Sequence, residues 1–173
     1  MKKLMIASAI AMTMAAGSAM AAQTGDVKFF GSVSAVTCDL APEISGNVVS
    51  TVQLGSVSTS TDGQPVRFSL KAANPTAGGC ATLTGKTAEF SWNGPMHAEG
   101  FANQGGAATD AYVKLKTLNG KTTQQQEIKA SNTVVSFDAD KAANDGFQFE
   151  ATLHGGSVEG DFQTAAAYAV TYK

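Results

Sequence analysis

Charge is scarce in this chain. Asp, Glu, Lys and Arg make up 15% of its 173 residues, and no long run of like charge occurs. The formal charge of −2 leaves no basic excess to hold nucleic acid or an anionic membrane. Ordinary hydrophobicity with so little charge argues against disorder, and the absence of sustained heptads argues against a coiled coil. Histidine is as rare as cysteine, with two of each. His97 and His154 stand singly, and neither Cys-x-x-Cys nor His-x-x-x-His spacing offers zinc a site. No phosphate-binding glycine loop is present. Ser157 follows Gly155-Gly156 but lacks the Gly-x-Ser-x-Gly frame of a nucleophile elbow. The pairs Asp138/Asp140 and Glu159/Asp161 lack further placed ligands and read as solvated strand ends rather than acid–base or calcium chemistry. A single Trp, Trp92, lies in an alternating run and reads as core rather than as a sugar platform. No catalytic residue, metal site or cofactor is expected, and the chain does not read as an enzyme.

The one long apolar run is at the start. Lys2 and Lys3 precede an uncharged stretch from Leu4 to Ala16, and Ala19-Met20-Ala21 supplies an A-x-A cleavage site. This is the pattern of a secretory signal peptide, residues 1–21, and its uncharged run is short for a membrane span. Cleavage would leave residues 22–173 as a single domain, since no composition break marks a second. Loss of Lys2 and Lys3 takes the formal charge from −2 to −4. No Cys follows the cleavage site, which argues against a lipoprotein. Both cysteines, Cys38 and Cys80, lie in the exported part, and an even pair there reads as a disulfide. Closing so long a loop stabilises the fold by about 4 kcal/mol on the chain-entropy account.

Strand-like runs fill the rest. Val66-Arg67-Phe68-Ser69-Leu70, Ala88-Glu89-Phe90-Ser91-Trp92, Tyr112 to Leu118 and Phe147 to Ala151 alternate apolar with polar, and Val27–Cys38, Val48–Val57, Val134–Phe137 and Phe162–Tyr172 add more. Period-two alternation places one face on a core and the other in water, as in antiparallel sheets. Asp62-Gly63, Asn93-Gly94, Asn119-Gly120 and Asn144-Asp145-Gly146 are turn signals, and Leu118-Asn119-Gly120-Lys121 is the best tight-hairpin candidate. No helix is expected beyond the signal. Short strands at this spacing predict an all-β sandwich of Ig-like type.

The two ends carry a resemblance. Gly160 is fourteenth from the end and Tyr172 penultimate, and Phe162, Thr164, Ala166, Tyr168, Val170 and Tyr172 share one strand face. This resembles the chaperone-recognition terminus of chaperone–usher pilins. At the other end Gln23, Gly25, Val27, Phe29 and Gly31 share a face, continued by Val33, with Phe30 apolar on the opposite side. This resembles the donor segment of mature pilins. Thr51-Val52-Gln53-Leu54-Gly55, Val66 to Lys71 before Cys80, Trp92-Asn93-Gly94 and Gly100-Phe101 are similar to stretches in major subunits of enterotoxigenic enterobacterial fimbriae, sialoglycolipid-binding ones among them.

The resemblance implies an incomplete Ig-like sandwich, completed by a donor strand from a neighbouring subunit. Residues 22–33 would be the donor segment, with Gln23, Gly25, Val27, Phe29 and Gly31 entering the neighbour's groove and Gly25 over its shallow part. Residues 160–173 would be the groove and chaperone-binding strand, with Gly160, Phe162, Tyr168, Val170 and Tyr172. The implied partners are a periplasmic pilus chaperone, an outer-membrane usher and identical subunits in a head-to-tail filament, reached by export through the periplasm to the cell surface. The implied function is the major structural subunit of a surface fimbria supporting adhesion to host cells. The alternatives are a shaft subunit that itself binds host glycans, with Lys114 and Lys116 on one strand face as candidate contacts for a sialylated glycan receptor, and a minor adaptor pilin.

Overall fold

The computed structural model describes residues 38–173. The expected signal peptide, residues 1–21, and the donor segment, residues 22–33 with Gln23, Gly25, Val27, Phe29 and Gly31, lie outside the described residues. Chain order runs through β1 (Leu40–Ile44), β2 (Asn47–Val48), β3 (Val66–Ala72), a single helical turn α1 (Gly78–Ala81), β4 (Thr87–Asn93), β5 (Met96–His97), β6 (Gly100–Ala102), β7 (Tyr112–Thr117), β8 (Glu127–Ile128) and β9 (Val134–Asp138). A 3-10 turn (Ala139–Ala143), β10 (Phe147–His154) and β11 (Ala167–Tyr172) complete it.

Every named pair is antiparallel. The larger sheet has the order β2-β1-β3-β10-β7-β6-β5 with β8 added along β7, and the smaller is β11-β4-β9. The alternation of β4 shows why they face each other. Ala88, Phe90 and Trp92 are buried while Ser91 and Asn93 are exposed, so one face of the strand is apolar and the other wet. Phe90 and Phe137 of the smaller sheet meet Phe147 and Phe149 of the larger. Phe90 lies 4.8 Å from Phe147, and Phe137 lies 5.2 Å from Phe147 and 5.3 Å from Phe149. These rings are fully buried, and each contributes about 1.5–3 kcal/mol. The architecture is a two-sheet sandwich around an aromatic centre.

Three local readings change against the structure. The Val48–Val57 run does not form a strand beyond β2. It keeps the burial alternation, with Val52 and Leu54 half-buried between exposed neighbours, but has no ladder partner among the described residues. Asn119-Gly120 does not make a tight hairpin, because β7 ends at Thr117 and pairs onward with β8 across a longer loop. Asn119 is taken instead by β10: its Nδ2 donates to the Gly146 carbonyl at 3.0 Å and its Oδ1 accepts from the Gln148 N–H at 2.8 Å. The two-residue hairpin is Ser45-Gly46, between Ile44 and Asn47, where both residues take the positive φ (51° and 85°) of a mirror-image turn. Two short turns, α1 and the 3-10 segment, also appear where no helix was expected. Both are too brief to leave a periodic signature.

Cys38 and Cys80 form a disulfide with Cα atoms 4.7 Å apart, and both cysteines are buried. It ties β1's entry to α1. Ala88 stands opposite Tyr172 and Phe137 in the smaller sheet, and Phe137 packs on Phe147 near Leu70 and the end of β3. Cys38 and the end of β11 therefore share one pole of the sandwich. Asn93, Ala167, Tyr112 and His154 mark the other. The bridged cysteines are 42 residues apart, so replacing both with Ala should lower stability by about 4 kcal/mol. Urea denaturation of purified subunit checks this, and an unchanged midpoint would contradict it.

Candidate assembly site

Among the described residues β11 is an edge strand. One side pairs with β4 from Ala167–Asn93 to Tyr172–Ala88, and no strand among the described residues pairs along the other. Of the residues expected there, Tyr168, Val170 and Tyr172 turn inward while Ala169 and Thr171 are exposed. Tyr168 packs 5.7 Å from Phe90 and 5.5 Å from Trp92, and Val170 is buried. Ala166, expected on the same face, is exposed, because the strand starts only at Ala167.

Across from β11 the core is only half covered. Tyr168 makes a long contact, 3.5 Å, from its hydroxyl to the Leu40 carbonyl, which brings β1 beside β11. Leu40 and Phe68 on that side, and Phe162, Tyr168 and Tyr172 on the β11 side, pack on the core yet stay partly exposed. Trp92 Nε1, Thr164 Oγ1 and Tyr172 Oη are buried without a hydrogen-bond partner among the described residues. Such groups are costly to leave unpaired. Burial pushes the Tyr172 phenol up to about 12 and raises that of Tyr168. Trp92 itself is 6% exposed and belongs to the core, as its alternation indicated.

The pole where β11 begins holds a cavity of about 420 Å³ walled by Val57, Ala108, Leu153, Val158 and Phe162. Gly160 stands at its rim with φ +148°, and a Cβ there would come within 2.5 Å of the Ala107 methyl. Both backbone and space require glycine at this position. Asp110 fixes the neighbouring loop: its Oδ2 accepts from the Ser157 N–H at 2.7 Å and hydroxyl at 2.6 Å, and its Oδ1 from the Val158 N–H at 3.2 Å. These bonds, the Ser157 hydroxyl foremost, hold the Asp110 carboxyl down at about 2. The sequence reading missed Asp110 and the part that Val57 plays in the cavity wall. The run Val48–Val57, which ends at Val57, was the signal for it.

The outer face of the larger sheet is self-neutralised. Lys116 and Arg67 both reach Glu150, at 2.9 and 3.0 Å, and Lys114 and His154 both reach Asp62, at 2.8 and 2.6 Å. The side chain of Glu150 is only 8% exposed, because the cross-strand neighbours of β3 and β7 close over it. The Lys116 ammonium, and then Arg67, hold its carboxyl below the usual glutamate range despite desolvation.

No protein-family profile matches the chain. Whole proteins do. It is 60% identical to the F107 fimbrial protein of Escherichia coli over the full length of both. This chain is a fimbrial protein. It is also 32% identical to the K99 fimbrial protein of E. coli over 99% of each chain, and 28% identical to the major MR/P fimbria protein of Proteus mirabilis over 100% of this chain and 99% of that one. A fimbrial protein is a structural, non-enzymatic subunit located in surface fimbriae, and it assembles with like subunits.

The lowered carboxyl of Glu150 gives a pH prediction with a definite sign. A depressed folded value contributes stability that is complete above the ordinary 4.5 and is lost as pH falls through the folded value. Glu150→Gln should therefore be less stable than wild type at neutral pH, and the gap should narrow below that ordinary value. Urea midpoints across acid pH check this, and a gap that stays constant on acidification would contradict it.

Proposed function

We propose that the chain is the major structural subunit of a chaperone–usher fimbria and polymerises by donor-strand exchange. In this reading residues 1–21 are a signal peptide removed on export, and 22–173 form the pilin domain. Residues 22–33 of one copy lie along β11 of the next and complete its sandwich. The observation that carries the reading is β11, an edge strand among the described residues, beside apolar side chains that stay partly exposed. An edge of this kind favours strand addition from another chain, with backbone hydrogen bonds giving affinity and alternate side chains giving register.

Polarity follows from the poles. The chain leading to Cys38 enters the sandwich at the pole where β11 ends. In head-to-tail stacking that pole meets the opposite pole of the next copy, where the acceptor's β11 begins. The donor segment then runs antiparallel to β11, with Gly31 toward Phe162 and Gln23 toward Tyr172. Repetition of such a contact gives an open filament. Val27 and Phe29 are the apolar anchors, and Gly25 crosses a shallow stretch. Before assembly the periplasmic chaperone occupies the same groove along Gly160, Phe162, Tyr168, Val170 and Tyr172, and the usher exchanges it for the next subunit. The resulting fimbria supports adhesion to host cells. The engagement of Lys114 by Asp62 and of Lys116 by Glu150 weighs against a glycan site built on those lysines.

Burying Val27 and Phe29 contributes about 1.5–3 kcal/mol each, and a carboxylate in either place costs more than the lost contact. Val27→Asp and Phe29→Asp should still co-purify with the chaperone yet fail to form heat- and SDS-resistant polymer. Wild-type polymer yield from both variants would refute donor-strand assembly. Loss of the chaperone complex would instead place the segment in its own subunit's fold.

A further inference from the structure

The chain holds two Asn–Gly pairs, Asn93-Gly94 and Asn119-Gly120, and the fold treats them in opposite ways. Asn119 is half-buried, and both atoms of its amide are committed, Nδ2 to the Gly146 carbonyl and Oδ1 to the Gln148 N–H. Asn93 is exposed at the last position of β4, and its side chain makes no hydrogen bond among the described residues. The Gly94 N–H that follows it is likewise without a hydrogen-bond acceptor among them. Gly94 carries no Cβ to shield that nitrogen, and the space is tight enough that a Cβ would lie 3.0 Å from the Ala165 carbonyl and 3.2 Å from the Phe101 ring. An unrestrained Asn amide next to an unblocked glycine nitrogen is the arrangement in which an amide cyclises onto its own backbone.

We infer that Asn93 is a site of spontaneous deamidation and that the fold protects Asn119 from the same reaction. The Gly94 nitrogen, losing its proton, attacks the Asn93 side-chain carbonyl carbon. The bond from that carbon to Nδ2 breaks, the released group takes up a proton, and ammonia leaves. Water then opens the resulting cyclic imide at either carbonyl, giving aspartate or isoaspartate. The reaction needs no oxidant and no co-reactant other than water.

Position gives the chemistry a consequence. Asn93 stands opposite Ala167, the first residue of β11, at the pole where the donor segment is proposed to enter. Either product adds a carboxylate at this point, and isoaspartate also lengthens the main chain by one carbon. The β4–β11 register would then slip at the mouth of the groove. The deamidation itself does not rest on the donor-strand reading; only this consequence does.

The test is incubation of purified native subunit at neutral to mildly alkaline pH in water enriched in heavy oxygen, followed by peptide mapping. Aspartate and isoaspartate should accumulate at position 93, both carrying the solvent oxygen. Asn119 should convert about tenfold more slowly or less, because its two hydrogen bonds must open first. In urea the two sites should react at similar rates, which assigns the difference to the fold rather than to neighbouring residues. Equal rates in the native subunit would overturn the proposal. So would an intact Asn93, aspartate formed without isoaspartate, or a rate difference that persists in urea.

Discussion

The structure turns on an inequality between the two sides of one core. At its centre Phe90, Phe137, Phe147 and Phe149 are wholly buried, and β4 is paired on both edges. Toward β11 the same apolar layer continues through Tyr168, Val170 and Tyr172, and Leu40 and Phe68, which pack on the core, stay partly exposed. Partly exposed hydrophobic surface beside a strand at the edge of a sheet favours the addition of another strand. Under the proposed function, that edge is the means by which this fimbrial protein assembles with like subunits.

The rest of the sandwich keeps that edge in place and leaves other edges less inviting. The disulfide fixes the pole where β11 ends, and the hydrogen bonds between Thr87 and Lys173, 2.9 Å each, hold the chain terminus to β4. At the opposite pole Asp110 clamps the loop that leads into β11, and Gly160 allows that loop to pass against Ala107. On β9, the other edge of the smaller sheet, Lys121 donates its backbone N–H to Ser136 at 2.7 Å, so part of that edge is already engaged. On the outer face of the larger sheet, paired charges leave few free cations.

Elements with a clean period of two were legible in the sequence, because burial on one face alone decides them. β7 falls within the alternating run Tyr112–Leu118, and β3, β4 and β10 contain the runs around Phe68, Phe90 and Phe149 and extend one to three residues past them. The disulfide was legible from export and an even cysteine count. Features decided by distant partners were not. Asn119-Gly120 has the chemistry of a tight turn, yet Gly146 and Gln148 capture its side chain from 27 and 29 residues away. The alternation at Val52 and Leu54 gave the correct inward face but could not reveal that no ladder partner lies beside it among the described residues. The resemblance flagged Gly160, but its physical reason, a positive φ beside Ala107, emerges only in three dimensions.

The most direct test of the unfinished edge is amide hydrogen exchange on the purified subunit, with and without a synthetic peptide spanning residues 22–33. The account predicts that the peptide slows exchange along β11, from Ala167 to Tyr172, and leaves the β9 edge at Val134–Asp138 unchanged. Unaltered exchange along β11, or protection confined to β9, would contradict it.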